Sequence, residues 1–153
     1  MSVRILIVDD HEVVREGVRT IINRAKRGWE ICGEASNGQE AIEAVGRLRP
    51  DIILLDITMP VMSGLDAASR ITGSGLPGQI LIFTMHESGE LTHDARRVGA
   101  RGYVTKSDAA RHLVIAIETL LSGGTFFGRP EKPQDPDKNP GSGILFRLGL
   151  AFE

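Results

Sequence analysis

Four short apolar runs punctuate the chain: Val3–Val8, Ile52–Leu55, Ile80–Phe83 and the brief Tyr103–Val104. The first three are almost unbroken Ile, Leu and Val, which predicts strands covered on both faces, as in a parallel sheet. A fifth run, residues 29–35, alternates instead, with Glu30 and Glu34 set between apolar neighbours. That is the pattern of a half-exposed edge strand. Between these runs the period lengthens to that of helices. Val14, Val18, Ile21, Ile22 and Ala25 share one helical face. Asn37 with Glu40 three residues later predicts a capped helix, its inner face Ala41, Ile42, Val45 and Leu48, ended by Pro50. A shorter helix is expected from Gly64 to Ile71 and another from about Gly89 to Val98. The last opens with Ser107 as N-cap, buries Leu113, Ala116, Ile117, Leu120 and Leu121, and stops at Gly123-Gly124.

Five strands alternating with five helices predict an α/β fold. Right-handed crossovers narrow it to a doubly wound, five-stranded parallel sheet of the flavodoxin-like (βα)5 kind, strand order 2-1-3-4-5. The alternating second strand then lies at an edge, as its pattern requires. After Gly128 the composition changes, with four of the seven prolines falling between Pro130 and Pro140. The expected organisation is a folded unit over 2–124, a Pro/Gly-rich linker over 125–143, and an apolar stub over 144–153 too short to fold alone.

Composition adds exclusions. The 153 residues suit one domain with modest extras, and 41% apolar content can fill one core. Eighteen basic against 20 acidic residues give a net charge of -2, which marks neither a nucleic-acid nor a membrane binder. The single cysteine, Cys32, excludes an internal disulfide and is expected to be a buried structural thiol. No signal-peptide core opens the chain and no window is apolar enough for a membrane span, so a cytoplasmic location is expected.

In open parallel sheets, chemistry gathers outside the carboxyl ends of the strands. Asp9-Asp10 follow the first predicted strand, Asp56 the third, Thr84 the fourth and Lys106 the fifth. The order 2-1-3-4-5 would bring three carboxylates, a hydroxyl and an ammonium to one crevice. Clustered carboxylates repel unless a cation intervenes, and an all-oxygen set with room for water suits Mg²⁺, with Mn²⁺ an alternative. Asp56 could then act as a nucleophile toward phosphorus, with Lys106 and Thr84 facing the phosphoryl oxygens. Taken singly, an Asp-Asp pair often only caps a helix, and a lone threonine or lysine is usually structural or solvated. It is their occurrence at four strand ends together that points to a site.

The segments Ile7-Val8-Asp9-Asp10-His11, residues 55–64 from Leu55 through Asp56 and Pro60 to Gly64, Thr84, and Tyr103-Val104-Thr105-Lys106 resemble the response regulator receiver family of two-component signalling. The opening and the ending Leu121-Ser122-Gly123-Gly124 resemble the NarL/FixJ/LuxR-type subfamily, whose receivers precede a helix-turn-helix. The resemblance implies that Asp56 is the phosphoacceptor for a histidine kinase. It implies Mg²⁺ held by Asp10, Asp56 and the backbone carbonyl of Thr58, with Asp9 assisting through water. Thr84 and Tyr103 would switch together, and Lys106 would bind the phosphoryl group. Departures are Thr58, where many members carry Asn, Ser107 in place of a common proline, and bulky Met85 after Thr84. Met85 could narrow access, while Thr58 and His86 flank the approach of an attacking water, so slow self-dephosphorylation is expected.

Rival signals are weaker. Gly73 to Gly78 has the glycine spacing of a phosphate loop but lacks the Lys-Ser/Thr that should follow, and precedes a strand. A flavin site would not place Asp9 and Asp10 where phosphate must sit. An aspartate-nucleophile phosphatase resembles this pattern, but its second acid is here Thr58, which argues for holding phosphate over enzymatic turnover. His11, His86, His93 and His112 lack zinc-ligand spacing, and His11 reads as an exposed residue at a helix start. For output, two readings stand: a receiver acting through protein contacts, or the receiver half of a transcription factor. The 25 residues after Gly128, four basic and four acidic, are too few for an independent DNA-reading unit. A homodimer through the first and fifth helices or through the fourth-helix face is compatible with the pattern, which does not choose between them.

Overall fold

The apolar runs become the central strands of one sheet. The computed structural model describes residues 2–85 and 88–128, together with the backbone of 130–131. Strands β1 (Arg4–Val8), β3 (Ile52–Asp56) and β4 (Gln79–Thr84) form its middle, with β2 (Glu30–Ala35) beyond β1 and β5 (Gly102–Thr105) beyond β4. All four pairings among them are parallel. Helices α1 (Glu12–Ala25), α2 (Gly38–Leu48), α3 (Gly64–Gly73), α4 (Gly89–Arg97) and α5 (Ala109–Leu121) cross between them. The order 2-1-3-4-5 and the α/β class are as the pattern predicts.

Two cores form because strand side chains alternate faces. Ile5, Ile7, Leu54 and Phe83 pack under α1 and α5 against Val18, Ile22, Leu113 and Ile117. Leu6, Leu55, Ile82 and Tyr103 pack on the other face against Ala41, Val45, Ala67 and Ala95 of α2, α3 and α4. Each fully buried Leu or Ile contributes about 1.5–3 kcal/mol relative to exposure. In the edge strand β2 the two glutamates face outward, as the alternation requires, and Cys32 is half-buried, its thiol pushed up by burial.

Three expectations need correction. The sheet does not end at five strands: β6 (Thr125–Phe127) pairs in parallel with β5, and a two-residue β7 (Pro130–Glu131) pairs antiparallel with β6. These residues were expected in the linker. They pair because Phe126 is drawn into the core at 1% exposure and Gly102 lets the β6 backbone approach, a Cβ there falling 2.3 Å from the Phe126 carbonyl oxygen. Secondly, Ser107 does not cap α5. Lys106–Asp108 form a tight 3₁₀ turn, and Asp108 takes the cap position without a side-chain cap bond, its Oδ2 instead accepting from Thr105 Oγ1 at 3.1 Å. Thirdly, the Asn37 cap forms, with Oδ1 accepting from the Glu40 amide at 2.9 Å, but Glu40 reaches back to the amide of Ser36 rather than to Asn37. Residues 132–153, with most of the expected linker and the whole stub, lie outside the described residues. Among the described residues, no helix is long and apolar enough to cross a membrane.

Candidate functional site

The crevice lies where β1, β3 and β4 end. Asp9 leaves β1 held by its backbone: its amide donates to the Ala35 carbonyl at 3.0 Å, and its carbonyl accepts from Arg15 Nη1 at 2.6 Å. Arg15 in turn pairs with Glu34 on β2 at 2.8 Å. These contacts fix Asp9 at 1% exposure. Asp56 ends β3 at 4% exposure, and its Oδ1 receives the Thr58 amide at a long 3.4 Å. Asp10 is more open, its side chain 28% exposed.

Ligand-capable atoms of Asp9, Asp10, His11 and Asp56 all lie within 4.8 Å of one another. Lys106 enters from the turn after β5, its ammonium 2.8 Å from Asp9 Oδ2 and 3.5 Å from Asp56 Oδ1. The shorter contact is nevertheless out of hydrogen-bonding alignment, so Asp9 Oδ2 is buried with no hydrogen-bond partner. The Lys106 charge offsets part of the cost of burying this oxygen, and a cation or its water could supply the hydrogen bond or ligation it lacks. The all-oxygen carboxylate set and this open acceptor fit a hard divalent ion.

Burial pushes the Asp56 carboxyl above the usual carboxylate range, and the Asp9 charge adds to this; Lys106 and the Thr58 amide pull it back. A carboxylate kept poorly solvated beside a second negative charge gains most from a cation.

The loop after Asp56 is tightly constrained. Gly64 opens α3, its amide donating to the Ile57 carbonyl at 2.7 Å, with Ser63 as the cap. Val61 holds φ at +70°, a left-handed conformation that β-branched residues rarely adopt. Thr58 is exposed at the mouth of the crevice.

Thr84 ends β4 beside Thr105 and at the level of Lys106, 8% exposed. By strand alternation it faces the α4 side of the sheet with Ile82 and Tyr103, away from the face that carries Asp56. Tyr103 is 6% exposed, its ring 6.0 Å from that of Phe127. Arg96 of α4 lies over the other ring, 4.1 Å from the Phe127 centroid. The structure thus brings Asp9, Asp10, Asp56 and Lys106 together, places Thr84 one strand away at the same sheet end, and sets Tyr103 inside the core one turn of pleat behind it. Met85 is 63% exposed directly after Thr84, and His86 lies outside the described residues. Sequence reasoning set His11 aside, although its adjacency to two acids was the available signal; its ring nitrogen Nδ1 is 3.2 Å from both Asp9 Oδ1 and Asp10 Oδ1.

Comparisons with known proteins bear on the family and the fold. Residues 5–118 match the family model for the response regulator receiver domain. The chain is 33% identical over 146 residues to the response regulator UvrY of Escherichia coli, covering 88% of this chain and 66% of that protein. It is 39% identical over 124 residues to the oxygen regulatory protein NreC of Staphylococcus aureus, covering 80% and 57%. The chain therefore spans a little under two thirds, or less, of the length of these curated relatives. Among solved structures, a LuxR-family two-component response regulator from an Aurantimonas species superposes with a TM-score of 0.74 at 38% identity, covering 90% of this chain and 92% of that one. The receiver domain of a NarL response regulator from Mycobacterium tuberculosis gives 0.74 at 30% identity, covering 80% and 98%. With the motif order, the fold and these matches in agreement, the chain belongs to the response regulator receiver family.

Proposed function

We propose that Asp56 accepts a phosphoryl group from the phosphohistidine of a histidine kinase, and that the acyl phosphate shifts the domain between two conformations read by a partner or output domain. The observation that carries this is one buried strand-end carboxylate, Asp56, within 3.5 Å of the Lys106 ammonium and inside a cluster of two further aspartates. In the step, an Asp56 oxygen bonds to phosphorus as the P–N bond of the phosphohistidine breaks and the imidazole departs. Lys106 neutralises the phosphoryl oxygens, and the Thr84 hydroxyl donates to one of them once it swings over the sheet end. Tyr103, on the same face as Thr84, follows that movement. Asp10, Asp56 and the Thr58 backbone carbonyl would hold Mg²⁺, with Asp9 assisting through water and Mn²⁺ as an alternative. When bound, the ion supplies positive charge that keeps Asp56 ionised and offsets the charge on the transferred group.

On this reading the receiver occupies 2–124 in the cytoplasm, with β6 and β7 appended to it. Its own chemistry is confined to phosphotransfer and dephosphorylation. A second output reading makes it the receiver half of a DNA-binding transcriptional regulator. Favouring this, the chain covers only 55% of the transcriptional regulatory protein LnrK of Bacillus subtilis, to which it is 37% identical. Any nucleic-acid contact would then belong to a part outside this sequence.

Incubation with acetyl phosphate and Mg²⁺, followed by mass mapping, tests the assignment. One added phosphoryl group on Asp56 is expected, lost in Asp56→Asn and suppressed by a chelator. Multiple-turnover release of phosphate from a generic phosphomonoester would instead identify a phosphatase.

A further inference from the structure

The acidic crevice contains a donor that the phosphoacceptor chemistry leaves unused. His11 stands at the N-terminus of α1 but makes no side-chain cap bond to that helix. Its amide donates to Asp9 Oδ1 at 2.9 Å, which anchors the residue beside the cluster. Its ring is turned toward the acids, with Nδ1 3.2 Å from one oxygen each of Asp9 and Asp10. The side chain is 65% exposed, so packing does not lock it there.

We propose that His11 is a nitrogen ligand in this pocket and biases it toward divalent ions that accept imidazole, such as Mn²⁺, Co²⁺ and Zn²⁺, relative to Mg²⁺. Two observations carry this. One is distance: ligand-capable atoms of Asp9, Asp10, His11 and Asp56 lie within 4.8 Å of one another. Metal–ligand bonds of about 2.1 Å put opposite ligands about 4.2 Å apart, so small side-chain movements would seat one ion among these four residues. The other is the Asp9 carboxylate, 1% exposed, whose Oδ2 makes no hydrogen bond and has one cation near it, the Lys106 ammonium at 2.8 Å. Three carboxylates face a single ammonium here, so the pocket has room for further positive charge, and the donor added to it is nitrogen. Imidazole suits Zn²⁺ and its transition-metal neighbours, while Mg²⁺ keeps to oxygen.

The inference rests on the crevice being the metal-assisted phosphoacceptor site, and deepens it by naming which ions the site takes. The test uses the full chain freed of metal and loaded with Mn²⁺, read by pulsed EPR for coupling to a directly bound imidazole nitrogen. Nitrogen coupling is expected in the wild type and is lost in both His11→Ala and His11→Gln. Calorimetric titration should show Co²⁺ and Zn²⁺ affinity falling tenfold or more in the variants, and Mg²⁺ affinity changing less than twofold. Bound Mn²⁺ without nitrogen coupling in the wild type overturns the inference, whatever the variants do. So does an equal loss of Mg²⁺ and Co²⁺ affinity, which would make His11 a general electrostatic neighbour. Failure of the wild type to bind either Mg²⁺ or Mn²⁺ would remove the parent reading of the site, and this one with it.

Discussion

Gly64 lies directly against the main chain of Asp56: a Cβ built at Gly64 would fall 1.9 Å from the Asp56 carbonyl oxygen. The obstacle is backbone, so it cannot rotate away. Gly64→Ala must therefore push α3 off the end of β3 and displace Asp56. We expect a stability loss on the order of 2–4 kcal/mol in urea unfolding and a large fall in acetyl phosphate labelling. A variant as stable and as readily labelled as wild type would refute this account of the loop.

The charge state of Asp56 gives a pH prediction. Its pKa is raised in the folded state, by burial first and by Asp9 second. A carboxyl raised on folding contributes stability that is full below its unfolded pKa and disappears as pH climbs through the folded value. Without metal, Asp56→Asn should thus be more stable than wild type at neutral pH, the gap closing in acid. Mg²⁺ at a hundred times its Kd should add about 2.7 kcal/mol to wild type and less to the variant. Unfolding curves across pH with and without EDTA decide the matter; equal stability at neutral pH counts against it.

Gly102→Ala separates β6 from the sheet. The added methyl would meet the Phe126 carbonyl at 2.3 Å, which β5 and β6 can relieve only by parting. Loss of the buried Phe126 packing costs on the order of 3 kcal/mol. Hydrogen exchange should quicken at the Phe126 amide, which donates to the Arg101 carbonyl at 3.0 Å, and remain unchanged in β1. Unaltered protection at Phe126 would show that the pairing tolerates a side chain.

If Asp56 is phosphorylated as proposed, Met85 should bear on the lifetime of the phosphorylated form. It follows Thr84 where smaller residues would leave water freer access. Met85→Ala is expected to lose phosphate several-fold faster, followed by the decay of labelled protein. An unchanged half-life would acquit Met85 and leave Thr58 as the next residue to vary.

The parts of the fold legible in the sequence are those governed by burial on two faces. Ile5-Leu6-Ile7-Val8 and Ile52-Ile53-Leu54-Leu55 are 0–1% exposed, as expected of strands covered on both faces in a parallel sheet. Asp9, Asp10, Asp56 and Lys106 could be placed because each follows a strand, and strand order then fixes proximity. What escaped depends on contacts rather than on period. Three residues, Thr125-Phe126-Phe127, are too few to show alternation, and their pairing hangs on the bare backbone of Gly102. The shift of the α5 cap from Ser107 to Asp108 turns on one tight turn that brings Lys106 to the acids. The preference of Lys106 for Asp9 over Asp56 is a matter of side-chain reach, which spacing along the chain does not encode.

The covering of β5 by β6 bears on how the molecule coexists with copies of itself. A parallel sheet that stopped at β5 would display a row of unanswered amides and carbonyls along that flank, an invitation to intermolecular strand stacking. With Phe126 lodged in the interior, part of that flank is already spoken for. Trimming the protein back to Gly124 should therefore yield a preparation more prone to self-association, even though every residue of the acidic crevice would be retained.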